Sequence, residues 1–265
     1  MPILEYKKSI LHYKKAGYGP KILLAFHGFG QDHHAFDILT EEIKEHYTVY
    51  AFDLYFHGKS EWRYGEQPLE KAVLTEIISA FLNNNSIKTF SLAGFSLGCR
   101  FVLALLEKFS DNVDKIFLLA PDGIRTSFWF TLSTYPLLLR KFFKSTVHHP
   151  ARFKVIVNTL YKIRLMDKGL LKFVEHQMST TEKRRRVYYS WVVFRHLKFN
   201  AKSLITLINV NKVPVTIVVG VHDRVITASS IKQFTKHLHK VDFNLLQSGH
   251  TVLLRDQNLP KLFKA

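Results

Sequence analysis

The most constraining feature of the sequence is a G-x-S-x-G pattern, Gly94 to Gly98, that directly follows a short apolar run at residues 88–93. Beyond it, apolar residues recur at every fourth position, as one face of a helix requires: Leu97, Phe101, Leu105 and Phe109. The pattern therefore predicts a strand, a sharp turn and a helix, with Ser96 at the turn. Glycines on both sides remove side chains that would clash there, and such a turn presents the serine hydroxyl as a nucleophile.

A serine hydroxyl is a poor nucleophile at neutral pH, so it needs a histidine to take its proton and a carboxylate to orient that histidine. Both follow in the chain. An apolar, β-branched run at residues 213–220 predicts a strand buried on both faces, and Asp223 comes just after it. A second predicted strand, residues 241–246, leads into His250. Open α/β sheets build their sites at one edge, so Ser96, Asp223 and His250 are expected to meet there.

With these residues in this order, the sequence resembles the α/β-hydrolase family over nearly its whole length. Residues 27–30, His-Gly-Phe-Gly, resemble the family's oxyanion loop. Residues 53–60 are similar to its D-x-x-G-H-G-x-S turn, although Phe56 stands where glycine is usual. The resemblance implies an α/β fold with a mostly parallel central sheet flanked by helices.

The resemblance also implies roles for individual residues. Ser96 would be the nucleophile, His250 the general base and Asp223 the carboxylate that orients it. The backbone N–H groups of Phe29 and Leu97 would hold the oxyanion, so the side chains at these positions would shape the pocket without binding the anion.

The strand and helix pattern predicts a core of residues 1–120 and 206–265, interrupted by an insertion at 121–205. Within the core, strands are expected in two segments near residues 3–15, at 21–26, at 47–52 and at 113–119, and helices near 34–45 and 68–83. The insertion is helical in pattern and lies where this family commonly carries its lid. We therefore expect a helical cap.

Basic charge is concentrated in the predicted cap. The chain has a net charge of +17, and residues 121–200 hold 16 Lys and Arg against 4 Asp and Glu. This excess is consistent with a solvated helix face, with attraction of an anionic acyl substrate, or with peripheral contact to an anionic membrane. The membrane interpretation depends on the aromatic and basic segments at 128–132 and 137–144, which packing of the cap onto the site also explains.

The basic run at 183–186 comes with no recognition module and is expected to face solvent, so no nucleic acid is predicted as a partner.

Asp122 is an alternative acid, because some members of the family place their carboxylate after the strand predicted at 113–119. His27 and His57 lie inside family motifs and are expected to fix loops. The pairs His33-His34 and His148-His149 are expected at the surface, since no carboxylate or cysteine completes a ligand set, and no metal is predicted. The single cysteine, Cys99, is expected to pack inside the helix after Ser96.

The predicted chemistry is hydrolysis through an acyl-enzyme, with a carboxylic ester or thioester as the first expectation. A nucleophilic serine, where dehalogenases and epoxide hydrolases of this fold place an aspartate, disfavours those activities. Amide or carbon–carbon bond hydrolysis stays open, as does a ligand-binding or receptor-like protein with little turnover. No phosphate loop or G-x-G-x-x-G pattern occurs, so no cofactor is predicted. The first residues lack the apolar stretch of a signal peptide, and a cytoplasmic location is expected.

Overall fold

The computed structural model describes residues 2–124, 128–162, 171 and 175–264. Among these residues one sheet contains nine strands: β1 Ile3–Tyr6, β2 Ser9–Ala16, β3 Lys21–Phe26, β4 Tyr47–Phe52, β5 Glu61–Trp62, β6 Phe90–Phe95, β7 Val113–Leu119, β8 Val215–Gly220 and β9 Val241–Leu246. The described α-helices are Asp37–Ile43, Lys71–Asn84, Gly98–Phe109, Phe128–Thr134, Leu137–His148, Pro150–Lys162, Thr181–Val193, Ala201–Val210, Ala228–Thr235 and Leu259–Lys264. Short 3-10 helices lie at His33–Phe36, Ser110–Asn112, Phe194–His196 and His250–Arg255.

The sheet has the order β1-β2-β4-β3-β6-β7-β8-β9, with β5 paired to β2. The strands from β4 to β9 along this order all run parallel, whereas β2 pairs antiparallel with β4, β1 and β5. The predicted α/β fold with a mostly parallel central sheet is confirmed. Because parallel strands end at the same edge, the segments that follow β6, β8 and β9 emerge together.

Burial along the strands follows their place in the sheet. Every residue of β6 and of β8 is buried, and the continuous apolar run at residues 213–220 predicted this burial for β8. The terminal strand β9 is only partly covered. Aromatic rings fill the layer beneath the site, where Phe26 stacks between Phe52 and Phe101 at centroid distances of 5.2 and 5.8 Å. The strand that ends at the G-x-S-x-G turn, β6, lies in the core along its whole length.

The chain divides into two compact units. The larger unit comprises Met1–Tyr64, Glu70–Arg125 and Leu197–Ala265 and contains the sheet. The smaller unit comprises Gly65–Leu69 and Thr126–His196, and its described elements are helical.

These boundaries differ from the predicted insertion at both ends. The larger unit includes residues 121–125 and 197–205, because the Leu197 carbonyl accepts a hydrogen bond from Arg100 Nη1 at 3.3 Å and Leu204 of the following helix is buried. The smaller unit also takes up Gly65–Leu69, which the sequence placed in the core. Leu69 N–H donates to the Val193 carbonyl at 2.8 Å, a long-range contact without a sequence signal.

In the smaller unit, Arg184 is buried, which corrects the expectation that the run at 183–186 faces solvent as a whole. Its guanidinium donates to the carbonyl oxygens of Val147 and Met178 at 2.9 and 3.1 Å and to Thr181 Oγ1 at 2.9 Å. The buried guanidinium therefore joins its own helix to the helix Leu137–His148 and to the segment that contains Met178. No helix among the described residues is long and apolar enough to cross a membrane.

Candidate active site

Ser96 lies at the turn between β6 and the helix Gly98–Phe109 with a φ of +49°, in the left-handed region. Its N–H donates to the Leu119 carbonyl at 2.9 Å, and its carbonyl accepts from Cys99 N–H at 3.0 Å. A side-chain-bearing residue in this region costs on the order of 1 to 3 kcal/mol, so the surrounding hydrogen bonds must hold it there. The turn directs the Ser96 hydroxyl toward His250.

The two glycines of the pattern are required by the close approach of neighbouring backbone. A Cβ at Gly98 would lie 1.9 Å from the carbonyl oxygen of Phe26, and one at Gly94 would lie 2.7 Å from the Cα of Cys99. Relieving these overlaps would require a shift of the buried strand that ends at Phe26 or of the helix that contains Cys99. The G-x-S-x-G spacing therefore follows from packing around the turn.

Ser96, His250 and Asp223, the three predicted residues, are joined by hydrogen bonds. His250 Nε2 lies 3.0 Å from Ser96 Oγ, and His250 Nδ1 lies 2.6 Å from Asp223 Oδ2. An ionised carboxylate only accepts, so Nδ1 carries the proton and the Nε2 lone pair faces the serine hydroxyl. This tautomer is the one that can take a proton from Ser96.

Backbone contacts fix the two loops that carry Asp223 and His250. Asp223 Oδ1 accepts from the N–H groups of Val225 and Ile226, both at 2.8 Å, so each carboxylate oxygen is held. His222 N–H donates to the Ser248 carbonyl at 3.1 Å and so ties one loop to the other. The imidazole of His250 also packs against Phe95, with ring centroids 5.2 Å apart. These contacts hold the loop that carries Asp223 against the loop that carries His250.

Asp122, the alternative acid, has a different partner. Its carboxylate accepts two hydrogen bonds from Arg100, from Nε at 2.7 Å and from Nη2 at 3.1 Å. Its backbone N–H donates to the Ser96 carbonyl at 3.2 Å. The sequence analysis missed Arg100, although one basic residue in an otherwise apolar helix start, residues 98–106, signals a buried partner.

The predicted oxyanion donors lie on the two expected loops. Leu97 N–H is at the N-terminal end of the helix Gly98–Phe109, where the helix dipole favours negative charge. Phe29 lies in the turn after β3, which is closed by a hydrogen bond from Gly28 N–H to Gln31 Oε1 at 2.9 Å. Within the described part of the chain, neither N–H donates to a protein acceptor.

The turn at residues 53–60 is organised around the buried carboxylate of Asp53. It accepts hydrogen bonds from Nδ1 of His12 and of His33, at 2.7 and 2.8 Å, and from the backbone N–H groups of His33 and Lys59. Burial acts to raise the pKa of Asp53, but these donors outweigh it and hold the pKa below its usual value. His33 is therefore a buried anchor, which corrects its expected place at the surface.

His12, His33 and Asp53 place ligand atoms within 4.8 Å of one another, close enough to hold a metal ion in principle. In the structure both Nδ1 atoms bond the carboxylate instead, and the cluster joins β2 to the turn. Phe56 keeps the turn in its left-handed conformation with a φ of +68°, so the departure from glycine is accommodated.

His27 and Cys99 have structural surroundings. His27 Nδ1–H donates to the Gly28 carbonyl at 2.7 Å and Nε2 accepts from Leu54 N–H at 3.0 Å, as expected of a residue that fixes loops. Burial lowers the pKa of His27 to about 4, so the ring is neutral near pH 7. Cys99 is buried with Sγ 3.0 Å from the Gly94 carbonyl, and burial raises the pKa of its thiol well above the usual value.

Comparison with known proteins agrees with this geometry. A family model described as the alpha/beta hydrolase fold matches residues 21–154. The chain belongs to the alpha/beta hydrolase family.

Individual relatives are distant. The chain is 27% identical over 113 residues to the dihydrolipoyllysine-residue acetyltransferase component of the acetoin cleaving system from Cupriavidus necator. That match covers 43% of this chain and 30% of the relative, so the chain spans less than a third of that protein's length.

Among solved structures, an esterase from Thermogutta terrifontis superposes with a TM-score of 0.72 at 14% identity, covering 97% of this chain and 92% of the esterase. The thioesterase domain from the curacin biosynthetic pathway superposes with a TM-score of 0.67 at 14% identity, covering 100% of this chain and 98% of that domain. At this identity the likeness establishes the fold.

Proposed function

We propose that this chain is a serine hydrolase that cleaves carboxylic esters or thioesters through an acyl-enzyme on Ser96. The observation that carries the proposal is the continuous hydrogen-bonded chain from Ser96 Oγ through His250 to Asp223, at 3.0 and 2.6 Å. This geometry is that of an activated nucleophile with its base and the orienter of that base. The left-handed backbone of Ser96 adds to it, because that conformation is retained where it exposes the hydroxyl.

In the first half-reaction, Ser96 Oγ attacks the carbonyl carbon while His250 Nε2 takes the hydroxyl proton. The negative charge that forms on the carbonyl oxygen is held by the backbone N–H groups of Phe29 and Leu97. When the tetrahedral intermediate collapses, the alkoxide or thiolate leaves and takes the proton from His250. Asp223 stabilises the imidazolium that exists between these steps.

In the second half-reaction, His250 takes a proton from water, and the resulting hydroxide attacks the acyl carbon on Ser96. Collapse releases the carboxylic acid, and Ser96 recovers its proton from His250. Esters and thioesters need no further group, since their leaving groups depart readily. The esterase and thioesterase names of the structural neighbours support this substrate class.

The test is turnover of chromogenic carboxylic esters and acyl-thioesters of graded acyl length, with anilides of the same acyl groups for comparison. We expect ester or thioester turnover with an initial burst equal to the enzyme concentration where deacylation is slow. Ser96→Ala should abolish both phases, and Ser91→Ala, a change of a buried serine on the same strand, should retain them. A burst without turnover would favour the receptor-like alternative, and faster cleavage of the anilides would favour an amidase.

The basic charge of the smaller unit supports a narrower form of the hydrolase proposal, in which the substrate is anionic. Long-range attraction between exposed charges is screened over about 8 Å at physiological ionic strength. Added salt should therefore lower kcat/KM for an anionic ester and leave a neutral ester of the same acyl length nearly unchanged, because steering acts on encounter. Equal salt profiles for the two esters would remove this refinement and leave the hydrolase proposal intact.

A further inference from the structure

The helix Leu137–His148 of the smaller unit is anchored on one side by described residues. On that side Phe143 packs against Tyr188 and Trp191, with ring centroids 5.3 and 5.7 Å apart, and Thr146 and Val147 are buried. These contacts fix the rotation of the helix about its own axis. The residues on the opposite side are therefore presented in a defined orientation.

The opposite side carries large apolar residues in solvent. Leu137, Leu138 and Phe142 are 55%, 79% and 44% exposed, and the exposed Lys141 lies among them. At 100° per residue, positions 137, 138, 141 and 142 fall on one side of a helix. We call these four residues the outward face. Single exposed apolar residues are ordinary, but a group of them on one fixed face marks an interaction surface.

The charged residues in the sequence of the two helices that begin at Leu137 and Pro150 are all basic. Residues 137–162 contain six Lys and Arg and no Asp or Glu. Lys144 forms an ion pair with Glu66 of the same unit, but Lys141 and, on the next helix, Lys154 are exposed. That next helix, Pro150–Lys162, also exposes Val155 and Tyr161. Aromatic and aliphatic side chains interspersed with lysines, on helices that contain no acidic residue, are the composition of interfacial helices.

From this exposure and charge we propose that the outward face docks on the surface of an anionic lipid bilayer. Leu138 and Phe142 enter the boundary between headgroups and acyl chains, while Lys141 lies against the lipid phosphates. A second copy of the chain fits less well, because a symmetric contact would bring two basic, acid-free helices together. Docking goes beyond the proposed hydrolase function and does not depend on it.

The experiment is co-sedimentation of the full chain with vesicles of phosphatidylcholine alone or mixed with phosphatidylserine. We expect binding to the mixed vesicles that weakens as salt is raised. Lys141→Gln should weaken it about fivefold, the loss expected for one lysine at an anionic surface. Leu138→Ser combined with Phe142→Ser should weaken it by about tenfold or more, since two apolar side chains leave the boundary.

A matched control lies on the helix Ala201–Val210 of the larger unit. Lys202→Gln combined with Val210→Ser also changes one exposed lysine and one exposed apolar residue, and it should leave binding unchanged. Unaltered melting curves show that each variant folds. Lys141→Glu is a surface substitution that should also weaken binding, and it supplies a second loss-of-binding variant. Failure of the wild-type chain to sediment with mixed vesicles, or equal binding by the variants and the control, would overturn docking. A dimer that dissociates on Leu138→Ser and Phe142→Ser would reassign the outward face to a contact between copies.

Discussion

Arg100 and Asp122 form a bidentate ion pair directly behind the Ser96 turn, with Nε 2.7 Å from Oδ2 and Nη2 3.1 Å from Oδ1. The two ends of the pair differ in burial, because the Arg100 side chain is 3% exposed and that of Asp122 is 30% exposed. Arg100 lies one helical turn after Ser96, and Asp122 N–H bonds the Ser96 carbonyl. The pair therefore stabilises the backbone of the Ser96 turn through Asp122.

This asymmetry predicts unequal costs when either partner is removed. Asp122→Ala leaves a buried guanidinium without its carboxylate and should lower the free energy of unfolding by about 3 kcal/mol. Arg100→Met should cost less, because water solvates the partly exposed carboxylate and methionine fills the space of the arginine stem. Urea denaturation of the two variants measures the ranking, and a larger loss for Arg100→Met would contradict it.

The two acids should also differ in their effect on turnover. Asp223→Asn removes the acceptor that fixes the His250 tautomer and should lower kcat by about a thousandfold or more. Asp122→Asn keeps a hydrogen-bonding side chain beside Arg100 and should lower kcat by less than about tenfold, because the partner of its carboxylate is Arg100. Steady-state kinetics on one ester compares them. The opposite order would move the acid to the loop after β7.

The glycine at position 98 should tolerate no side chain. Gly98→Ala places a Cβ 1.9 Å from the Phe26 carbonyl oxygen. The substitution should lower the free energy of unfolding by more than about 4 kcal/mol or prevent folding. Gly65→Ala is the matched control, because nothing lies within 4 Å of its Cβ although its φ is +62°. The control substitution should lower the free energy of unfolding by about 1 kcal/mol. Thermal unfolding compares the two, and a stable, soluble Gly98→Ala protein would contradict the packing described around Ser96.

Acidification should destabilise the fold through His27. Burial lowers the pKa of His27 to about 4, below the unfolded value of 6.5, so the unfolded chain binds a proton over this interval that the folded chain does not. The free energy of unfolding therefore contains a contribution from His27 that is fully present above pH 6.5. This contribution falls by up to about 3 kcal/mol as the pH is lowered toward 4, at 1.36 kcal/mol per pH unit. Urea denaturation at several pH values should show a smaller pH dependence for His27→Gln. The same dependence in both proteins would contradict this assignment.

The sequence predicted the features that depend on local pattern. Strands β7 and β9 match their predicted bounds, and Ser96, Asp223 and His250 were predicted because each follows a predicted strand of the sheet. An apolar run that ends at a polar residue carries this information by itself. The hydrogen bonds among the three residues then follow from the sheet order.

What the sequence did not reveal depends on distant partners. Arg100 and Asp122 lie 22 positions apart, and His33 is buried because Asp53, 20 positions away, accepts from it. Arg184 is buried because its acceptors come from other segments of the smaller unit. Most buried polar groups have a hydrogen-bond partner, and for these residues the partners are set by tertiary packing.

Ser96 is the proposed nucleophile, and covalent labelling with a fluorophosphonate tests this role. The reagent phosphonylates a serine that an adjacent histidine activates, and peptide mass spectrometry locates the adduct. We predict one adduct per chain at Ser96, absent in Ser96→Ala and strongly reduced in His250→Ala, with Cys99→Ser labelled like the wild type. Labelling that persists at another residue in Ser96→Ala, or no labelling of the folded wild-type chain, would contradict the account.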